Sequence, residues 1–278
     1  MATSTMNSLN ATRYQGTASR SDIIRQVFVI LALLGTIYVN YLSNALPING
    51  RSAGEISDSF PTRFTPAGYV FAIWSVIYLG LIIFAIWQAL PGQRANPRLR
   101  AIFWPFIVSC MANISWLLAW HYGYYPLSVL IMLVFLGALI VLYATLYPSY
   151  TSVSWAERWA THLPFRIYLG WITVATIANI TITLYDLGWR DAPFGAPTWA
   201  AIMIVVATVV GLFFAVRLHD AAYTLVLVWA FYGIYVKQAD APITAYTAVA
   251  MAALLGVAAL YALIRSVMSP KTANALPR

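Results

Sequence analysis

Residues 67–90 read AGYVFAIWSVIYLGLIIFAIWQAL, 24 consecutive positions without a charged side chain. A helix needs about 20 mostly apolar residues to cross the hydrocarbon of a bilayer, and this run supplies them with no strand-like alternation. Seven further stretches have the same character: 24–42, 101–120, 127–147, 165–185, 198–216, 221–236 and 243–264, the stretch at 221–236 being the shortest. In lipid only helices and closed barrels satisfy their own backbone hydrogen bonds. The sequence therefore predicts an all-α polytopic membrane bundle of about eight transmembrane helices. Composition points the same way. Of 278 residues 62% are apolar and 9% charged, with mean hydropathy +0.76, whereas a soluble domain carries about 25% charged residues. Eight acids and sixteen bases cannot coat a water-soluble surface of this size.

Turn and breaker residues separate the runs: Pro91-Gly92, Pro126, Pro148, Pro164, Pro193 with Pro197, and Asp240-Ala241-Pro242. The longest link, 43–66, holds Pro47, Gly50, Gly54, Pro61 and four charges, and reads as an ordered, lid-like external loop. Eight crossings return both termini to one side. With the N-terminus inside, twelve of the sixteen bases fall on inner segments and four (Arg51, Arg63, Arg190, Lys237) on outer ones, the asymmetry that the positive-inside rule demands. The net charge of +8 is thus a topology signal with anionic-lipid contact, not a nucleic-acid footprint. The expected location is a plasma (inner) membrane with both termini cytoplasmic. Arg13, Arg20 and Arg25 before the first run resemble a signal-peptide n-region, but that run is about 19 residues, longer than an h-region, and its removal would break the charge alternation. It reads as an uncleaved helix. Residues 1–22, rich in Ser, Thr and Asn, and 267–278 read as disordered cytoplasmic tails.

Several chemistries drop out. Cys110 is the single cysteine, so no disulfide framework or Cys-based metal site exists; His121, His162 and His219 match no zinc spacing; no GxGxxG or P-loop appears. Acids and bases sit at the ends of the runs or in links, so the hydrocarbon interior is expected to be uncharged, with Arg166 and Asp186 snorkelling from the ends of the fifth span. Proton pumping, voltage sensing and a retinal Schiff base on Lys237 all fit such an interior poorly. What it does hold is aromatic rings and neutral amides. Phe71, Trp74, Ser75 and Tyr78 share one face of the second span; Ser109, Asn113, Trp116 and Trp120 share one of the third; Trp171, Ala175 and Asn179 share one of the fifth. Most of the 11 Trp and 18 Tyr suit interfacial belts. Asn113 and Asn179, however, lie near mid-span, where each amide must find a partner: either packing glue between helices or the lining of a cavity for a flat lipophilic ligand. On the last span Ala248, Ala252 and Gly256 form a small-residue ridge for close helix packing. Val228, Tyr232 and Lys237 satisfy a loose cholesterol-contact pattern that a Tyr-rich membrane protein matches by chance.

The run Phe64-Thr65-Pro66-Ala67-Gly68-Tyr69-Val70-Phe71, followed by Trp74 and Tyr78, resembles the Pro-Pro-Gly-Trp-Val-Phe…Trp…Leu-Tyr signature of the tryptophan-rich sensory protein/translocator protein family, the peripheral benzodiazepine receptors. Asn113-Ile114-Ser115-Trp116 is similar to that family's third-helix Asn-x-x-Trp element, and Trp171 with Asn179 to the Trp…Asn spacing of its fifth helix. The three elements occur in order over about residues 24–190. The resemblance implies a five-helix bundle over 23–190, often a homodimer, whose cavity binds porphyrins, haem, sterol-like or benzodiazepine-type ligands without a required cofactor. Carried over by motif, Phe71, Trp74, Tyr78, Asn113, Trp116, Trp171 and Asn179 would contact a tetrapyrrole, and 43–66 would be the pocket-covering loop. The interval from Phe71 to Trp74 is one residue shorter than in the family pattern, and Ala67 stands in place of the second Pro. The end of the fifth span, Leu184-Tyr185-Asp186-Leu187-Gly188-Trp189-Arg190, lacks the Leu or Val that the strict sterol-recognition pattern requires before its Tyr. The three spans across 191–266 have no counterpart in the five-helix family.

Three function classes follow. The first is a membrane receptor or translocator that binds a lipophilic aromatic ligand and partners the bilayer rather than nucleic acid. The second is an enzyme degrading porphyrins in light, as the resemblance allows, although no buried acid/base pair or nucleophile–base spacing supports catalysis. The third is a secondary transporter, for which neither an internal repeat nor broken midplane helices appear.

Overall fold

The computed structural model describes residues 18–46, 48–150, 152–189 and 192–268. The expected tails lie outside these residues up to position 17 and from 269 onward, as do Arg13, Arg190, Lys271 and Arg278 of the charge count. Among the described residues every regular element is helical: α1 Arg20–Ala45, α2 Ala53–Asp58, α3 Ile73–Ala89, α4 Pro97–Ala101, α5 Phe103–His121, α6 Tyr125–Leu146, α7 Leu163–Asp186, α8 Ala196–Arg217, α9 Ala221–Lys237 and α10 Pro242–Met268. The eight predicted spans correspond to α1, α3 and α5–α10. Seven are long and apolar enough to cross a bilayer; α9, at 17 residues, is shorter. It would reach about 25 Å against a hydrocarbon thickness of about 30 Å. The chain is an integral membrane protein, and large apolar side chains such as Leu31, Leu34, Ile86, Leu130 and Val209 stand exposed around its girth.

The short α9 has a local cause. Its N-cap Asp220, fully buried, accepts the backbone N–H of Tyr223 at 3.1 Å and the hydroxyl of Tyr143 at 2.9 Å, and pairs with Nε of Arg166 at 3.2 Å. Trp155–Asp186 is one continuous helical run, beginning ten residues before the expected fifth span, so Arg166 stands about 16 Å along it. The expectation of an uncharged interior with a snorkelling Arg166 is therefore corrected. Arg166 is buried, and its charge is neutralised by a carboxylate that also satisfies the start of α9 within the bundle. Asp186 does lie at the end of its helix, as expected.

α1 packs on α3 and α5, α6 lies between α5 and α7, and the α8–α10 trio docks through α9 against α7. At that seam a Cβ on Gly170 would stand 3.0 Å from the Tyr223 carbonyl, so the backbones approach closely. Within the trio, Ala248, Ala252, Leu255, Ala259 and Ala262 form the buried stripe of α10. Gly256, expected in that ridge, lies beside it: a Cβ added there would meet nothing within 4 Å. At the end of the molecule carrying the described ends of the chain, Arg100 grips Asp22 (2.7 and 2.6 Å) and Gln26 and Gln88 exchange amide-to-backbone bonds, joining α1 to α4 and α3.

Candidate ligand-binding site

At the opposite end the long link forms a lid. A 3₁₀ turn at Ile48–Gly50 and α2 lie against the end of α5. Asn49 donates to the His121 carbonyl (3.0 Å), and the Trp120 indole donates to the Ala53 carbonyl (3.3 Å). The rings of Phe60 and Tyr125 meet edge-on at 5.2 Å. The α9 end supports the lid from the side: Arg63 pairs with Asp240 (2.7 Å), Lys237 pairs with Asp58, and Gln238 donates to the Thr65 carbonyl (3.1 Å). The turn leading into α3 is fixed to α9 as well, by Ala67 N–H to Gly233 carbonyl (3.0 Å) and Trp229 indole to Val70 carbonyl (3.1 Å).

Beneath the lid are two chambers. The inner one, about 50 Å³, lies between Trp116 of α5 and Trp171 and Asn179 of α7, roofed by Ala53, Ser57 and Pro66. The outer one, about 500 Å³, lies between α1, α3 and α5 and is lined by Asn40, Tyr41, Trp74, Ser75 and Tyr78. Ala53, Phe71, Trp74 and Trp116 belong to both walls. The i, i+4 spacing of Trp74 and Tyr78 puts their rings nearly parallel, 5.5 Å apart and 15° in tilt. Trp171 meets Trp74 and Phe71 edge-on, at 6.1 and 5.8 Å. Among the described residues neither chamber is lined by a charged side chain.

The two amides have different surroundings. Asn113 is fully buried and lines neither chamber. It accepts from Asn40 (2.7 Å) and donates to the Tyr168 hydroxyl (3.0 Å), joining α1, α5 and α7. Asn179 lines the inner chamber, and its amide is engaged by the Trp116 indole (3.0 Å) and by Ser128 (2.9 Å). The amides thus set the positions of the rings around them. Among the described residues the Trp171 indole N–H, buried in the inner chamber wall, has no hydrogen-bond partner; an unmet buried donor costs about 1–3 kcal/mol. Of the seven residues singled out, Phe71, Trp74, Tyr78, Trp116, Trp171 and Asn179 come together around the chambers, and Asn113 stands behind them. Asn40 was missed. Its signal was the polar row Thr36, Asn40 and Ser43 at i, i+4, i+7 on the otherwise apolar stretch 27–43 of α1.

A family described as TSPO-like protein matches residues 26–261, most of the chain. The chain belongs to the TSPO-like protein family. No curated protein and no solved structure matches it. In this TSPO-like chain the match runs beyond residue 190 and through most of α10, so the last three spans lie inside the matched region rather than appended to it. Their contacts with the lid give them a part in the site as well: among the described residues, Lys237 at the end of α9 and Asp240 just beyond it hold the lid's two ion pairs.

Proposed function

We propose that this TSPO-like protein is a receptor or translocator for a flat lipophilic ligand of the tetrapyrrole class, oriented in a plasma membrane with both termini cytoplasmic and the lid outside. The observation that carries this reading is the unpaired Trp171 indole in a wall of aromatic rings, beside an uncharged chamber of about 500 Å³, a volume within the range of small-molecule sites. The inner chamber, at about 50 Å³, is too small for a macrocycle. The ring system therefore occupies the outer chamber, against Trp74 and Tyr78, and directs an acceptor-bearing substituent past Phe71 towards the Trp171 N–H. Entry is between α1 and α3 or beneath the raised lid. Aromatic contacts contribute about 0.5–1.5 kcal/mol each beyond burial; with apolar burial this supports micromolar affinity, about −8 kcal/mol. The family matched by the chain and the lid's latches to α9 support the same reading.

Titration of the full chain in detergent with protoporphyrin IX, followed by tryptophan quenching, tests it. Micromolar binding is expected, weakened about tenfold in Trp74→Ala and several-fold in Trp171→Phe, which keeps a ring but removes the donor. Equal affinities for all three proteins would refute the assignment of the chambers.

A further inference from the structure

One wall of the outer chamber is α1, and a residue there is only half used by the fold. Asn40 donates its amide nitrogen inwards, to the Thr36 carbonyl at 2.9 Å and to Oδ1 of Asn113 at 2.7 Å. A backbone carbonyl can only accept, so the first bond fixes which end of the amide is nitrogen. The polar neighbours do not reach the other end: the Ser43 hydroxyl and the Asn44 amide donate to the Asn40 backbone carbonyl, at 2.8 and 2.9 Å. Asn40 Oδ1 therefore has no hydrogen-bond partner among the described residues, and it is open to the chamber that the residue lines. The bond that ties α1 to α5 uses the nitrogen alone, so packing accounts for only one end of this amide.

The free oxygen accepts and cannot donate, so a ligand that satisfies it must bring the hydrogen. The walls decide the charge of that donor. Among the described residues no charged side chain lines the chambers, and a buried ion without a partner is far costlier than a hydrogen-bonded hydroxyl or N–H. An ionised carboxylate would face the negative end of the Asn40 carbonyl dipole, and an ammonium group would lack a counter-ion. A neutral O–H or N–H fits. Trp171 presents the opposite need, because its buried indole N–H lacks an acceptor. The α1 side asks for a donor and the α7 side for an acceptor, which orients an uncharged ligand between them.

We infer that Asn40 is a specificity-determining residue of the outer chamber: it accepts a neutral hydroxyl or N–H from the rim of the ligand that lies against Trp74 and Tyr78. The inference rests on the tetrapyrrole reading of the chambers and narrows it. The part of the ligand held inside is uncharged, with its donor towards α1 and its acceptor towards α7, and any ionised carboxylate stays at the open mouth.

Titration of the full chain in detergent with haematoporphyrin dimethyl ester, whose rim carries hydroxyethyl groups, and with the methyl ether of those same groups tests the inference. Both probes are uncharged and share the macrocycle; the ether has lost the rim donors. Wild type should bind the hydroxyl form about tenfold more tightly, the worth of one hydrogen bond at the upper end of its usual range. Asn40→Leu should bring both probes to the affinity of the ether. Where Asn40→Leu folds poorly, Asn40→Leu with Asn113→Leu removes both ends of the internal bond and serves in its place. Ser75→Ala, which deletes a hydroxyl from the same chamber, should keep the preference. Equal micromolar affinities in wild type would overturn the inference and leave the tetrapyrrole reading standing, whereas no binding of either probe would remove both. A preference that survives the loss of Asn40, or that disappears in Ser75→Ala, would also overturn it.

Discussion

Gly233 is where the turn before α3 touches α9. A Cβ there would overlap Cγ2 of Val70, which is itself fully buried. Gly233→Ala should therefore part the two segments at a cost of about 1–3 kcal/mol, the usual range for overpacking. The measurement is thermal unfolding in detergent, and Val70→Ala in the same chain should recover most of the loss. Arg166 makes a larger demand. Removing one partner of a buried ion pair costs about 3–5 kcal/mol, whereas replacing both is often neutral. Arg166→Met should destabilise by that amount, and Arg166→Met with Asp220→Asn should recover much of it; equal loss in both would show that the pair is not the reason. These residues also mark the limit of what could be read beforehand. Asp220 ahead of an apolar run is legible as a helix cap. Its pairing with Arg166, 54 positions earlier, depends on how two helices rotate against each other, which no local pattern encodes. Asn113 is similar: that it needs a partner was plain, but Asn40 and Tyr168 as partners were not.

At the scale of elements, the lid is held by many small contacts. Its ion pairs, Arg63–Asp240 and Lys237–Asp58, are partly exposed, and such pairs contribute about 0–1 kcal/mol each. Its helix α2 begins at a capping box: the Glu55 carboxylate accepts the Ser52 backbone N–H at 2.7 Å, and the Glu55 backbone N–H donates to Ser52 Oγ. The bond from the Ser52 backbone, and secondarily its side chain, holds the Glu55 carboxyl below its ordinary value of 4.5. A depressed carboxyl lends stability that is full above the ordinary value and is lost as pH falls through the lowered one. Hydrogen exchange across 53–58 should therefore be slower in wild type than in Glu55→Gln at pH 7, with the difference vanishing as pH falls through the lowered carboxyl value. A difference that persisted in acid would exclude the cap as its source. Pro, Gly and charge in 43–66 made an ordered loop legible, but not that α9 would latch it, because Arg63 and Asp240 are 177 positions apart.

For the whole molecule, hydropathy and breaker spacing located all eight apolar helices, since a bilayer imposes length and apolarity on each span independently. The aromatic faces of α3, α5 and α7 were legible for a related reason: helical spacing is fixed, so Trp74, Trp116 and Trp171 had to converge once those helices packed together. Cavity shape was not legible. The inner and outer chambers share a wall of Ala53, Phe71, Trp74 and Trp116, drawn from α2, α3, α5 and the turn before α3, and that convergence is set by tertiary packing. What occupies the outer chamber decides whether these rings form a tetrapyrrole site, and a structure of the full chain with protoporphyrin IX bound measures that directly. The macrocycle should lie against Trp74 and Tyr78 beneath a latched lid, with an acceptor within hydrogen-bond reach of the Trp171 indole. A macrocycle bound on the lipid-facing surface, with both chambers unfilled, would contradict it.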